Sequence, residues 1–212
     1  MKKHEHPVDR LIGHVDRALR VLSGVSRAER ANPARSTPET ELTESQRTEA
    51  GRLMRVNHCG EICAQALYMG QGLTSRDRRV KESMEHAARE EIDHLAWCEE
   101  RLEELDTHTS YLNPAFYALS FTGGAISGLM GNRINLGFVA ATEEQVVTHL
   151  EEHLACLPAE DHRSREILSQ MKRDEDQHRT TALEHGGTDF PRPIKSLMTT
   201  LSKVMTRTTY WV

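Results

Sequence analysis

The chain has 212 residues, a formal net charge of −5, and 37% hydrophobic against 28% charged side chains. That length suits one domain with a sizeable core, and the mild acidity, with no basic stripe interleaved with aromatics, argues against nucleic acid as a partner. Four cysteines (Cys59, Cys63, Cys98, Cys156) form no Cys-x-x-Cys pair, which excludes zinc-ribbon and rubredoxin-type sites and predicts reduced, buried thiols within helices.

The chain opens Met1-Lys2-Lys3-His4 and runs on into charged residues, so no signal-peptide core is expected. Residues 7–24 predict an amphipathic helix whose apolar face, Val8, Leu11, Ile12, Val15, Leu19 and Leu22, should pack against the rest of the fold. From Ser26 to Glu41, Pro33 and Pro38 among small and polar residues predict a linker. The first long helix should start at the capping box Thr43-Glu-Ser-Gln46, stop near Gly70 or Gly72, and carry Met54, His58, Glu61, Gln65 and Tyr68 on one stripe. A second helix is predicted over about Ser75–Leu105, with Arg76-Asp-Arg-Arg79 as a solvated turn near its start.

Residues 109–132 carry no charged side chain. A spanning helix needs about 20 mainly apolar residues, but Pro114, four glycines and several hydroxyls make this a poor one. Two readings remain for it: a broken, partly exposed apolar segment lying in a membrane surface, or a buried crossover. The third long helix is predicted from about Ile134 to Cys156, ahead of Pro158, and the fourth from about Asp161 to His185, stopped by Gly186-Gly187. After Asp189 no acidic residue occurs, while Arg192, Lys195, Lys203 and Arg207 remain. Ile194, Leu197, Met198, Leu201, Val204 and Met205 share a helical face, and Tyr210-Trp211 follow, a pattern suited to a membrane interface. The resulting layout is an N-terminal helix and linker (1–42), a four-helix bundle (43–187) and a basic amphipathic C-terminal helix (188–212).

The chemistry concentrates in Glu91-Ile-Asp-His94 and its echo Glu175-Asp-Gln-His178. Positions i and i+3 share a helix face, so each pair can reach one metal ion. A single Glu-x-x-His arises by chance in a chain this rich in both residues. Here each copy also has a Glu one helical hairpin upstream: Glu61 is 30 residues before Glu91, and Glu143 is 32 before Glu175. Two Glu plus two Glu-x-x-His is the ligand set of di-metal four-helix bundles. Glu143 lies within the apolar stripe Leu136, Val139, Ala140, Val146, Val147, Leu150, Leu154, and Glu175 within Ile167, Leu168, Met171, Ala182. A carboxylate facing a core is costly unless paired or metal-bound. Glu144 faces elsewhere, with Thr148 and Glu151. The midpoints of the two Glu pairs fall at residues 76 and 159, beside the predicted turns, which puts all the ligands at one level. Four carboxylates and two neutral imidazoles suit iron or manganese, but do not separate oxygenase, oxidase and storage roles.

The stretches Arg55-Val-Asn-His-Cys-Gly-Glu61, Tyr68-x-Gly-Gln71, Glu91-x-x-His94-Leu, Glu143-Glu144 with His149-Leu-Glu151, and Arg173-Asp-Glu175-x-x-His178 with Leu183-Glu-His185 resemble the demethoxyubiquinone hydroxylase family of ubiquinone biosynthesis. The resemblance covers roughly residues 45–187; one departure is Leu150, where many members have Tyr. It implies an all-α, ferritin-like four-helix bundle and a di-iron monooxygenase. Such an enzyme would use O2 to hydroxylate the ring of a polyprenylated demethoxyubiquinol, with an unspecified electron donor. It also implies Glu61, Glu91, His94, Glu143, Glu175 and His178 as catalytic iron ligands, Glu91 and Glu175 bridging, and His149 outside the ligand set. Peripheral attachment to the cytoplasmic face of the inner membrane, and other ubiquinone-biosynthesis proteins as possible partners, belong to the same expectation. The competing readings are a ferritin- or rubrerythrin-like iron oxidase or store, and a metal-free helical scaffold.

Overall fold

A computed structural model describes residues 7–24 and 27–212. Among them the chain forms seven helices and no strand: α1 (Pro7–Leu22), α2 (Glu44–Thr74), α3 (Arg78–Glu104), α4 (Asn113–Leu129), α5 (Asn132–Cys156), α6 (His162–Glu184) and α7 (Arg192–Thr209). Two helical hairpins, α2–α3 and α5–α6, make the bundle, and α4 lies along α2. The all-α expectation is met.

Local chemistry sets most boundaries. Thr43 and Gln46 close the capping box at the start of α2. That helix does not stop at the glycines: it runs to Thr74, and the Ser75 amide bonds the Gln71 carbonyl. Gly70 serves packing instead, since a Cβ there would stand 2.7 Å from the Ala125 amide nitrogen of α4. Asp77, within the stretch expected to be a solvated turn, is the N-cap of α3 and accepts from the Arg79 amide at 2.8 Å. Asp161 caps α6 by accepting from the Ser164 amide.

The uncharged stretch carries one continuous helix, α4, rather than a broken segment. Its glycines do not break α4 because they let it approach α2: a Cβ at Gly124 would lie 2.9 Å from the Leu67 carbonyl carbon, and one at Gly128 would lie 2.9 Å from the Gln71 oxygen. Backbone proximity of this kind offsets the entropic cost of helical glycine. The other face of α4 leaves Leu119, Ile126 and Leu129 exposed. No described helix is long and apolar enough to cross a membrane.

Three further expectations need correction. On α1, Ala18, Val21 and Leu22 make the contact with Ile62, Ala66 and Tyr117, whereas Ile12, Val15 and Leu19 are exposed. The flank of α2 is already occupied by α4, so only the last turns of α1 find a niche; the Val8 and Leu11 side chains, Met1–His4 and Ser26 lie outside the described residues. The 27–41 segment is more than a linker: Ala34 is buried, and Glu39 pairs with the buried Arg101, which also holds Asp161 and Glu104. Of the cysteines, Cys59 and Cys98 are buried and Cys63 is partly so, but Cys156 is exposed because it ends α5.

The α7 face divides its work. Met198 and Met205 are half-buried, Ile194 and Leu197 are exposed, and Leu201 and Val204 are exposed while also lining an apolar cavity against the bundle. Tyr210 closes the far end by packing on the core and donating to Glu49.

Candidate metal centre

The hairpins deliver all six sequence-predicted side chains to mid-bundle. Glu61 (α2), Glu91 and His94 (α3) and Glu175 (α6) form a buried group whose ligand atoms all lie within 4.8 Å of one another. His94 Nδ1 stands 3.3 Å from Glu61, 3.1 Å from Glu91 and 3.0 Å from Glu175. His178 Nδ1 stands 3.1 Å from Glu175 and 3.5 Å from Glu91. Glu143 (α5) is fully buried and feels the charges of Glu175, Glu91 and His178, and it accepts a hydrogen bond from the Tyr68 hydroxyl. Glu144, its neighbour, is half-buried and pairs with Lys195 of α7.

Each imidazole presents Nδ1 to the centre and is held from behind through Nε2. His94 Nε2 donates to Asp174 at 2.9 Å, and His178 Nε2 donates to Glu90 at 2.9 Å. Asp174 and Glu90 each immediately precede a cluster glutamate, so each helix fixes the histidine of the other. Such outer partners set tautomer and ring orientation at metal sites. Arg30 completes one side, bonding Asp93 at 2.6 Å and Asp174 at 2.9 Å while stacking on Trp97 at 4.9 Å. Sequence reasoning gave no role to Asp174, Glu90 or Arg30, and placed Tyr68 on the Glu61 stripe without one. An acid before each Glu-x-x-His was a readable signal for the first two; nothing local marks Arg30.

The electrostatics fit a site built for cations. Burial, reinforced by the Glu175 charge, pushes the Glu91 and Glu143 carboxyls well above the ordinary carboxylate range, and burial raises Glu61 too. Burial also opposes ionisation of Glu175, but hydrogen bonds from His178 and His94 outweigh it and hold that carboxyl below the usual range. Burial works against a charged His178, yet Glu175 and Glu90 push it up to about 12, and His94 is raised by the same balance of forces. Protons thus stand in for metal charge. Glu91 Oε1 and Glu143 Oε2 are buried yet accept no hydrogen bond, a costly state that a bound cation relieves. The buried Glu/His cluster fits a metal site, with oxygen and nitrogen donors and no thiolate.

An apolar cavity of about 500 Å3 between α2, α4, α5 and α7 reaches this cluster. Leu67, Phe116, Phe138, Met198 and Leu201 line it, and Glu61 is its one acidic or basic wall residue apart from His149. The His149 ring lies 3.8 Å from that of His153, tilted by 56°, and outside the ligand group; its Nε2 is buried without a partner. Burial lowers both imidazoles, His153 to about 3, so both are neutral.

The family model for the ubiquinone biosynthesis protein COQ7 matches residues 48–209, the stretch that holds every residue of this cluster. The chain belongs to the COQ7 family. Among its relatives, a protein of Azotobacter vinelandii is 56% identical over 210 residues, covering 99% of this chain and 98% of that one. One of Stutzerimonas stutzeri is 55% identical with the same coverage, and one of Chromohalobacter salexigens is 54% identical over 211 residues, 99% of each chain. All three are named 3-demethoxyubiquinol 3-hydroxylase. For this COQ7 family member, the ferritin-like bundle expected from the sequence holds.

Proposed function

We propose that this protein is a 3-demethoxyubiquinol 3-hydroxylase, a di-iron monooxygenase that uses O2 and acts at a membrane surface. The observation that carries the reading is the apolar cavity whose one acid is Glu61 of the buried cluster. A cavity of about 500 Å3 sits inside the roughly 300–1,000 Å3 range of small-molecule sites. Its wall suits a quinol ring with an isoprenoid tail, and a storage protein has no use for it.

In this reading Glu61, Glu91, His94, Glu143, Glu175 and His178 would hold the two irons. Bound iron(II) supplies reductive activation of O2. The chain's own residues do the rest. Tyr68, whose hydroxyl is kept protonated by burial and the Glu143 charge, donates to Glu143 and fixes the orientation of that carboxylate. His149 Nε2, neutral and unpartnered on the cavity wall, is placed to accept a hydrogen bond from a quinol hydroxyl and hold the ring against Glu61. Leu67, Phe116 and Phe138 exclude water from the ring.

Membrane attachment is supported by the exposed apolar residues Leu119, Ile126 and Leu129 of α4 and Ile194, Leu197, Leu201 and Val204 of α7. Leu119, Leu201 and Val204 also line the cavity, so a tail could pass from lipid directly into it. Attachment at the cytoplasmic face, where the quinol's biosynthetic precursors would be handled by partner enzymes, follows from the same reading. The test is the reaction: iron-loaded protein in anionic vesicles, reductant, demethoxyubiquinol and isotopically labelled O2. One labelled oxygen should appear on the ring, and quinone profiles of a deletion strain should be restored by this gene. Iron oxidation and mineralisation without quinol turnover would overturn the reading in favour of storage.

A further inference from the structure

A second cavity, of about 690 Å3, lies at the end of the bundle where α2 begins and α3 gives way to residues 105–108. Its wall includes Arg47, Arg52, Arg55, His108 and Trp211. Arg55 is only 7% exposed; its Nε donates to the His108 carbonyl at 2.9 Å and its Nη2 to Thr107 Oγ1 at 2.8 Å. Among the described residues its Nη1 makes no hydrogen bond and no carboxylate pairs with it. Buried guanidinium groups are ordinarily paired. Arg52, nearly one turn earlier, also lacks an ion-pair partner among the described residues, and lies 4.5 Å from the Trp211 ring centre and 5.4 Å from that of Tyr210.

The nearby acids do not cancel this charge. Asp106 is exposed and is taken by Arg47 at 3.3 Å, Glu44 is an exposed residue in the first turn of α2, and Glu49, three residues before Arg52, accepts from the Tyr210 hydroxyl and forms no ion pair with Arg52. Burial and repulsion from Arg52 both draw Arg55 below the ordinary arginine value, as an uncompensated pair of cations should. The metal cluster uses neither arginine.

We propose that this cavity is a phosphate-binding site, with Arg52 and Arg55 as its ligands and the Trp211 ring as its wall. Two guanidinium forks, one buried and pre-set and one on the wall, offer several parallel donors, which matches the multiple oxygens of a phosphate better than a single ammonium would. The phosphate has two possible sources, an anionic lipid headgroup or a soluble phosphate compound. The exposed rings of Tyr111 and Trp211 are the amphipathic kind that settle at headgroup depth, so both sources are tested.

Trp97 is 2% exposed and Trp211 is 67% exposed, so acrylamide quenching of tryptophan emission reports chiefly on Trp211. Full-length protein titrated with inorganic phosphate at constant ionic strength should show saturable protection. Arg52→Gln should weaken it about tenfold, the order expected for one charge-assisted contact. Arg192→Gln, the same charge loss on exposed α7, should leave it intact. Arg55→Gln should weaken it at least as much, and because Arg55 anchors residues 107–108, Arg52→Gln carries the test if that variant misfolds. Phosphatidylglycerol vesicles identify the source: binding lost in Arg52→Gln and competed by inorganic phosphate assigns a lipid headgroup, whereas vesicle binding indifferent to Arg52 beside saturable phosphate binding assigns a soluble compound. Equal phosphate protection in the parent and Arg52→Gln, or no saturable response to phosphate together with vesicle binding indifferent to Arg52, would overturn the proposal.

Discussion

Asp174→Ala tests whether the clasp behind the histidines governs the metal. Asp174 Oδ2 accepts from His94 Nε2 at 2.9 Å and from Arg30 at 2.9 Å, and Oδ1 accepts from Gln170 at 2.8 Å. Truncation frees the His94 ring to turn Nδ1 away from Glu61, Glu91 and Glu175. It also leaves the Arg30 charge 3.4 Å from His94 with only Asp93 to balance it. Loss of an outer-shell partner costs roughly 10–100-fold in metal affinity, or about 1.4–2.8 kcal/mol. Asp174→Ala belongs near the upper end, because its side chain is 15% exposed; Glu90, at 30%, is better solvated and its truncation should cost less. Anaerobic competition for iron(II) against a chromophoric chelator measures both, with circular dichroism confirming the fold. If folded Asp174→Ala competes for iron as well as the parent, the histidines are not held in the way described.

Four more outcomes are expected. Glu143→Ala should lose metal and hydroxylation, whereas Glu144→Ala, which removes only a half-buried pair with Lys195 away from the cluster, should retain both in elemental analysis and turnover. For the metal-free form, Glu61, Glu91, Glu143, His94 and His178 all have raised folded values. Their stabilisation is complete below the unfolded values and is lost as pH rises, from about 6.5 upward for the histidines. Glu175, shifted the other way, acts only in the acid range. The metal-free melting temperature should therefore fall from about pH 6 to 9 while the increment from added metal widens, because binding displaces those protons; a metal-free melting temperature that climbs with pH would refute this. Gly124→Val should destabilise by at least the 1–3 kcal/mol typical of overpacking, because its Cβ meets the Leu67 backbone, while Gly123→Ala, with nothing within 4 Å, should be neutral or stabilising in denaturant midpoints. Ile194→Asp with Leu197→Asp, both exposed on α7, should reduce co-sedimentation with anionic vesicles and leave iron content unchanged.

What could be read from residues alone followed from local rules and from spacing. Periodicity and caps located α2, α3, α5 and α6, because the Thr43 box, the Pro158 break and Gly186-Gly187 act within a few residues of themselves. The doubled Glu-x-x-His with an upstream Glu named the buried cluster, because helical spacing and hairpin symmetry leave those six side chains little choice of direction.

Tertiary structure decided the rest, because contacts between segments distant in sequence leave no periodic trace. Only the fold shows that Arg30 comes back across 144 residues to hold Asp174, or that Gly70, Gly124 and Gly128 serve helix contact rather than helix termination. The exposure of Ile12, Val15 and Leu19 on α1 likewise depended on α4 having taken the flank first. An apolar stripe states that burial is favourable; which surface receives it is settled by competition among all the stripes in the chain. Composition could count the arginines but not show that Arg52 and Arg55 face one cavity without a carboxylate, since the pairing of charges is a property of space rather than of order along the chain.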